Sequence, residues 1–174
     1  EFFLPVAGFN ARQLDQIARQ YDAVSLKAPA IQERPLKGML KGFIDLLFEH
    51  EGKYYVLDYK SNHIGMSYDD YQAHHMAEAI AEHRYDLQYQ LYTLALHRLL
   101  KQRLPNYDYD EHVGGVCYLF LRGMRPSKVG DESSNQQLMN ETGVFKTRLS
   151  KEHVQALDDM FNQTRQEVPQ IELF

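Results

Sequence analysis

The fold is decided by residues 41–62, which have the sequence KGFIDLLFEHEGKYYVLDYKSN. Apolar, β-branched and aromatic residues predominate on both sides of Glu51-Gly52, and this predicts two strands, Lys37–Phe48 and Lys53–Lys60. Glycine supplies the positive φ that a two-residue hairpin turn requires. The stretch therefore predicts an antiparallel hairpin with a short turn.

Three charged residues, Asp45, Asp58 and Lys60, interrupt these apolar strands. A buried charge is costly unless it is paired or bound to a metal. Alternation along a strand puts Asp58 and Lys60 on one face. With Glu51-Gly52 as the turn, Asp45 lies opposite Asp58, with the Cβ atoms roughly 5 Å apart. The two carboxylates repel unless a cation lies between them, and oxygen ligands favour magnesium or manganese over zinc.

Two interpretations of these charges stay open from the residues alone. In the functional one, Lys60 orients an attacking water, helps its deprotonation or stabilises charge on a phosphate. In the structural one, the three residues share a salt bridge at the edge of the sheet. The register also depends on turn length, because a four-residue loop would place Asp45 opposite Val56.

The rest of the chain predicts helices and strands on both sides of this hairpin. The order is helix, hairpin, helix, strand, strand, helix, which indicates an α/β domain with a mixed sheet flanked by helices. The predicted elements are a helix from Asn10 to Tyr21, a linker at 28–35, a polar loop at 61–70, a helical stretch at 71–104 broken near His83, a strand at 113–121, a mobile loop at 124–142, a short strand at 143–149 and a helix from Ser150 to about Gln163.

Composition limits the class of protein. The 174 residues fit a single domain, 1–174, and the absence of an initiator Met suggests a piece of a longer protein. Cys117 is the only cysteine, which excludes disulfides and a cysteine zinc site and favours a reducing, cytoplasmic setting. No apolar stretch is long enough for a transmembrane span, so no membrane partner is expected. The net charge of −5 argues mildly against a free-standing nucleic-acid binder.

Three motifs in order carry a resemblance to a known family. Asp45 followed by Asp58-Tyr59-Lys60 after one hairpin resembles the PD-(D/E)XK nuclease motif, with Asp as the last carboxylate, as in the RecB branch. The segment 84–92, RYDLQYQLY, contains that branch's Gln-hydrophobic-x-x-Tyr signature, and 114–123, GGVCYLFLRG, is also similar to it. The resemblance covers nearly the whole chain and implies a restriction-endonuclease-like PD-(D/E)XK core.

The resemblance implies an activity and partners. It implies a magnesium-dependent exonuclease of the exodeoxyribonuclease V type, with manganese as an alternative metal, that hydrolyses DNA during double-strand break repair and recombination. Such a domain works within a RecBCD-type helicase–nuclease, with DNA and the RecC and RecD subunits as partners and RecA as a further one. The chain has no Gly-x-x-x-x-Gly-Lys-Ser/Thr loop, so ATP is expected to bind only in a helicase part outside these residues.

The resemblance also implies roles for individual residues. Asp45 and Asp58 would ligate the metal, with the backbone carbonyl of Tyr59 as a further ligand, and Lys60 would be the catalytic lysine. Glu1 matches an acidic position near the start of the family core. The family's metal site also uses a histidine well upstream of the hairpin, which is expected in a missing amino-terminal part because no histidine precedes Asp45 here.

Other polar residues have two interpretations. Gln88 and Tyr92 lie four apart on one helical face, which either looks toward the active site and touches DNA or packs on the sheet. Four basic residues near the motifs could meet phosphates, namely Arg34, Lys37, Lys41 and Arg84.

Two alternative functions compete with the nuclease. The first is a non-catalytic module of the same fold that docks RecA or partner subunits, and the intact Asp45, Asp58 and Lys60 argue against it. The second is an AddAB-type or Cas4-like nuclease of the same superfamily. Those enzymes commonly carry four cysteines for an iron–sulfur cluster, and the single cysteine argues against them.

Overall fold

A computed structural model describes residues 1–5, 9–32, 35–36, 38–125 and 142–166. The strands are β1 (Phe2–Pro5), β2 (Phe9–Asn10), β3 (Pro35–Leu36), β4 (Met39–Gly42), β5 (Leu46–His50), β6 (Lys53–Lys60), β7 (Val113–Phe120) and β8 (Val144–Thr147). The α-helices are α1 (Ala11–Tyr21), α2 (Ala23–Lys27), α3 (Ala73–Glu82), α4 (Tyr85–Arg103), α5 (Tyr109–His112) and α6 (Lys151–Gln166). Short 3-10 turns span Tyr68–Tyr71 and Leu121–Gly123.

The hairpin of β5 and β6 confirms the predicted turn and register. His50 pairs with Lys53, and the antiparallel ladder continues to the pair of Leu46 and Leu57. Glu51 and Gly52 both have positive φ, 52° and 76°, as the favoured two-residue hairpin turns require. The register of all later residues on β6 is therefore fixed by this turn.

The prediction of one strand over Lys37–Phe48 is wrong. β4 pairs antiparallel with β1, whereas β5 pairs with β6, and residues 43–45 belong to neither ladder. The break follows Gly42, where a Cβ would lie 2.3 Å from the Phe2 ring, so that ring packs directly on the backbone. The carbonyl of Phe43 then accepts a hydrogen bond from the Tyr92 hydroxyl instead of from a neighbouring strand.

The central sheet has four strands in the order β5-β6-β7-β8. β6 and β7 are parallel and the other two pairs are antiparallel, so the predicted mixed sheet is confirmed. A parallel pair needs a long crossover, and α3 and α4 supply it. The core lies between the sheet and the helices, with buried side chains from β6, β7, α4 and α6 that include Val56, Val116, Leu94 and Leu157.

The helix predictions agree with the structure at their main features. Asn10 caps α1, because its side chain accepts a hydrogen bond from the Arg12 backbone N–H. The predicted break near His83 is confirmed, since α3 ends at Glu82 and α4 begins at Tyr85. Between them Arg84 adopts a left-handed backbone with φ of 57°.

The carboxy-terminal predictions also hold where the structure describes them. β8 lies within the predicted strand, and Ser150 caps α6 by accepting a hydrogen bond from the His153 N–H at 3.1 Å. Most of the predicted mobile loop, 126–141, lies outside the described residues. The short elements β1, β2, β3, α2 and α5 were not predicted. Within the described ranges, no helix is both long and apolar enough to cross a bilayer.

Candidate active site

β6 places Asp58 and Lys60 side by side. Lys60 Nζ lies 2.6 Å from Asp58 Oδ2, and each residue is only 5% exposed. The contact follows from the strand, because residues two apart point to the same face. The predicted shared face is therefore confirmed, and the charged pair sits on the side of the sheet that α4 covers.

Asp45 is the residue immediately before β5, just beyond the end of the β5–β6 ladder, and its side chain contacts β6. Its Oδ2 accepts a hydrogen bond from the Tyr59 backbone N–H at 3.0 Å. The sequence prediction placed Asp45 inside the strand, directly opposite Asp58. The register is correct, but Asp45 has left the ladder. Its carboxylate accepts the hydrogen bond from the Tyr59 N–H that a backbone carbonyl of the neighbouring strand would otherwise accept. The residue is exposed, so its carboxylate is open to solvent.

The surroundings of Asp58 disfavour its negative charge. Burial raises the pKa of the Asp58 carboxyl above its usual value, and the negative charge of Asp45 acts in the same direction. The hydrogen bond and charge of Lys60 oppose this effect. Two neighbouring carboxylates, one of them buried, make an electrostatic conflict that a bound cation would relieve.

Helix α4 supplies the polar residues that border this pair. Gln88 Oε1 accepts a hydrogen bond from Lys60 Nζ at 2.5 Å, and Gln88 Nε2 donates to the Tyr92 hydroxyl at 2.8 Å. Burial, with the negative charge of Asp58, raises the pKa of Tyr92 to about 12, so its hydroxyl stays protonated and donates to the Phe43 carbonyl. Tyr92 is 5% exposed. Both residues thus face the candidate active site and connect its parts, and Tyr92 offers little surface to DNA.

Two tyrosine rings enclose the Lys60 ammonium group. Lys60 Nζ lies 3.8 Å from the centroid of the Tyr85 ring and 4.3 Å from that of Tyr118. The Tyr118 hydroxyl lies 2.9 Å from the Tyr85 carbonyl oxygen and 3.1 Å from Gln88 Oε1. Aromatic faces attract a cation, most strongly where water is excluded. Tyr85, Gln88 and Tyr118 are called the lysine cage below.

The remaining candidate residues lie farther out. Tyr59 points away from Asp58 and Lys60, and its side chain is half-exposed. Glu1 precedes β1 and forms an ion pair with Lys41. Arg84 was one of the basic residues that could meet a phosphate, and in the structure its guanidinium binds Asp15 and Asp86 at 2.8 and 3.1 Å. Arg34 and Lys37 lie outside the described residues.

The donor set available to a metal is small. Among the residues that the structure describes, no group of three or more His, Cys, Asp and Glu side chains is placed to hold an ion. Asp45 and Asp58 offer two carboxylates. The backbone carbonyl of Tyr59, the residue between Asp58 and Lys60, is a third candidate oxygen donor. These are all oxygen donors, which fit a hard divalent cation such as magnesium or manganese.

Sequence reasoning missed the lysine cage tyrosines. Tyr85 lies three residues before Gln88 on α4, a spacing that puts both on one helical face. Tyr118 lies on the same face of β7 as Val116 and Phe120, and all three side chains are buried. Its partner across the parallel pair is Asp58, a neighbour that only the register of β6 and β7 reveals. A tyrosine in an apolar run otherwise indicates only core packing.

Comparisons with known proteins agree with this geometry. The family model described as the PD-(D/E)XK nuclease superfamily matches residues 6–172. The RecBCD enzyme subunit RecB of Escherichia coli (strain K12) is 49% identical over 162 residues, which are 92% of this chain and 13% of that protein. RecB of Haemophilus influenzae is 43% identical over 136 residues, which are 78% of this chain and 10% of that protein.

A third relative matches a shorter part of the chain. RecB of Mycobacterium tuberculosis (strain ATCC 25618 / H37Rv) is 42% identical over 100 residues, 57% of this chain and 9% of that protein. The chain therefore spans only a small part of the length of each of these relatives. The match to the family model covers nearly all of this chain, including the β5–β6 hairpin and α4. The chain belongs to the PD-(D/E)XK nuclease superfamily.

Proposed function

We propose that this chain is the magnesium-dependent DNA exonuclease domain of a RecBCD-type helicase–nuclease. It hydrolyses phosphodiester bonds during double-strand break repair and recombination, as an exodeoxyribonuclease of type V. Its partners are DNA, the RecC and RecD subunits and, as a further one, RecA. The superfamily membership and the similarity to RecB over 92% of the chain support this proposal.

One observation carries the proposal. Asp58 and Lys60 form a 2.6 Å ion pair on one face of β6, and the Asp45 carboxylate binds the backbone N–H of the residue between them. A buried ion pair is weak evidence for stability, because desolvation cancels much of the attraction. Two carboxylates and a lysine gathered at one strand are thus better explained by chemistry than by folding.

The residues fit a divalent cation, magnesium first and manganese as an alternative. Asp45 and Asp58 would hold it with their carboxylates, and Tyr59 with its carbonyl oxygen. The bound ion would polarise a phosphoryl oxygen and lower the pKa of a coordinated water. The exposed Asp45 gives the ion access to solvent, and the ion's positive charge would balance the two carboxylates that otherwise repel each other.

Lys60 acts as the fixed positive charge of the site. An ammonium group has three N–H donors, and Asp58 and Gln88 accept two of them. The third donor serves the reacting phosphate, where charge develops in the transition state. The lysine cage limits how far Lys60 Nζ can move, so the ammonium group stays directed at the reacting phosphate.

The decisive experiment separates DNA cleavage from unwinding. In a full-length RecB protein that carries this domain, assembled with RecC and RecD, Asp58→Ala or Lys60→Ala should abolish nuclease activity and leave ATP-driven unwinding intact. Lys53→Ala is a matched control, because Lys53 lies on the same strand but is exposed near the turn. Normal DNA degradation by either site variant would refute the proposal. A non-catalytic module that only docks RecA or partner subunits predicts that outcome.

Magnesium should bind the 174-residue chain weakly. Two carboxylates and one carbonyl are few ligands for an ion that prefers six oxygens. Stabilisation by the ion follows RT ln(1 + [L]/Kd), about 1.4 kcal/mol for each tenfold excess over Kd. Calorimetric titration of the chain, with Asp45→Asn as control, measures this affinity. A micromolar Kd that is lost in the control would show that the chain holds a complete site.

A further inference from the structure

The two-stranded sheet of β1 and β4 has one apolar face turned outward. Phe3 pairs with Lys41 across the two strands, and the rings of Phe3 and Phe43 lie 5.6 and 4.9 Å from Lys41 Nζ. Alternation places Met39 on the same face as Lys41. These four residues, Phe3, Met39, Lys41 and Phe43, are called the aromatic ridge.

Folding does not account for the aromatic ridge. The opposite face of the same strands packs inward, with Leu4 buried and the Phe2 ring edge-on to Tyr92 at 5.7 Å. By contrast Phe3, Met39 and Phe43 are 54%, 58% and 60% exposed. A contiguous patch of exposed apolar side chains marks a binding surface, whereas single exposed apolar side chains are common on any protein. The ridge is therefore a candidate contact surface.

The aromatic ridge runs into the candidate active site. Phe43 precedes Asp45 by two residues, so their Cα atoms are at most about 7 Å apart. The Phe43 carbonyl is held by Tyr92, which also bonds to Gln88 of the lysine cage. A DNA strand is a polymer, so a phosphodiester positioned for cleavage beside Asp45 brings neighbouring nucleotides onto the adjoining protein surface. On the β4 side, that surface is the ridge.

We propose that the aromatic ridge is a binding site for unpaired nucleotides of the DNA strand that enters the active site. Bases stack on the rings of Phe3 and Phe43, and the Lys41 ammonium group between the rings meets a backbone phosphate in place of Glu1. This proposal rests on the proposed nuclease function and deepens it. Stacking on aromatic side chains beside a positive charge is how proteins hold single strands without reading their sequence.

The chemistry of the ridge favours a single strand over a duplex. Stacking on Phe3 and Phe43 requires exposed base faces, and a duplex hides them between neighbouring base pairs. The single lysine offers one phosphate contact, too few to bind the backbone of a duplex by charge alone. The ridge thus selects strands whose bases have already been separated.

The test measures DNA binding by the 174-residue chain without cleavage. Fluorescence anisotropy follows a labelled oligothymidine of about twelve nucleotides, within the usual site sizes for single strands, in buffer with a metal chelator. Phe3→Leu combined with Phe43→Leu should raise the Kd at least about tenfold, since each stacked base contributes strongly to affinity. Phe48→Leu is the matched control, because this half-buried ring on β5 stacks on Tyr55 and not on the ridge.

Lys41 is tested through salt dependence. Lys41→Gln should lower the slope of log Kd against log salt by about 0.7, the value for one phosphate contact on a single strand. A duplex of the same length should bind more weakly than the single strand and should respond little to the two phenylalanine substitutions. Unchanged melting temperatures of the variants show that the fold is intact.

The outcomes separate the aromatic ridge from the nuclease function. Equal affinity of the double variant and the Phe48→Leu control would overturn the ridge, as would no binding by the unchanged chain up to about 100 µM, the weak end of non-specific binding. A ridge covered by another polypeptide predicts the first of these results. If the ridge binds strands as expected but Asp58→Ala does not impair cleavage in the full-length protein, the nuclease proposal fails and the ridge remains.

Discussion

The lysine cage allows a quantitative prediction for Tyr85. Its ring centroid lies 3.8 Å from Lys60 Nζ, at a site where Lys60 is almost fully buried. A cation over an aromatic face gains about 0.5–1 kcal/mol when exposed and about 2 kcal/mol when desolvated. Tyr85→Leu keeps apolar bulk but removes the aromatic face. We expect a loss of about 1–2 kcal/mol of transition-state stabilisation, which slows cleavage about 5-fold to 30-fold.

The assay is single-turnover DNA cleavage by a full-length RecB protein carrying the domain, with the enzyme in excess over DNA and the metal saturating. The loss should appear in the maximal single-turnover rate and not in the enzyme concentration that gives half of that rate, because Tyr85 holds Lys60 and does not bind the strand. Tyr85→Phe keeps the ring and loses only the 3.4 Å contact of its hydroxyl with Asn62, so it should retain most of the activity. Tyr54→Leu, a half-buried tyrosine near the start of β6, controls for general loss of packing.

Two results would refute this reasoning. If Tyr85→Phe lost as much activity as Tyr85→Leu, the hydroxyl and not the ring would be the important group. If Tyr54→Leu slowed cleavage equally, the effect would come from weaker packing of the sheet and not from the position of Lys60.

Three further predictions concern stability. Burial lowers the pKa of His153 to about 4 from 6.5, so the unfolded chain binds a proton in this window that the folded chain does not. Stability in urea should fall as the pH drops from 6.5 to 4, by up to about 3 kcal/mol, and His153→Gln should flatten the dependence. Asp86→Ala should cost about 2–4 kcal/mol by urea unfolding, because it removes a buried carboxylate that accepts hydrogen bonds from Ser25 and Arg84, whereas Asp86→Asn should cost less. Gly42→Ala should lower the melting temperature, corresponding to about 1–3 kcal/mol, since its Cβ would lie 2.3 Å from the Phe2 ring. An unchanged melting temperature would show that the ring moves freely.

The sequence predicted the part of the site that local rules control. The turn at Glu51-Gly52 sets the register, and a period of two puts Asp58 and Lys60 together, so both followed from a short stretch of residues. The break between α3 and α4 was also readable, because it shows as an interruption of helical periodicity. These features depend on neighbours in sequence, and a single chain contains that information.

The parts that sequence did not predict depend on distant contacts. The run 37–48 has continuous strand propensity, yet it divides between two sheets because β1, more than thirty residues upstream, pairs with its first half. Tyr118 reaches Asp58 only through the parallel register of β6 and β7, and Tyr85 reaches Lys60 only because α4 packs on that face. Neither contact leaves a periodic signal, so each tyrosine resembles an ordinary core residue.

The position of α4 decides whether the lysine cage forms, and distant residues fix that position. Its N-cap residue, Arg84, makes no side-chain cap, and its guanidinium instead binds Asp86 in the first turn and Asp15 on α1. Ser25 on α2 donates to Asp86 at 2.7 Å. These contacts fix both the position of the first turn of α4 and its rotation about the helix axis. Tyr85 and Gln88 lie on that turn and the next. Substitutions in α1 or α2 that loosen this network should therefore weaken the hold on Lys60 without touching the active site.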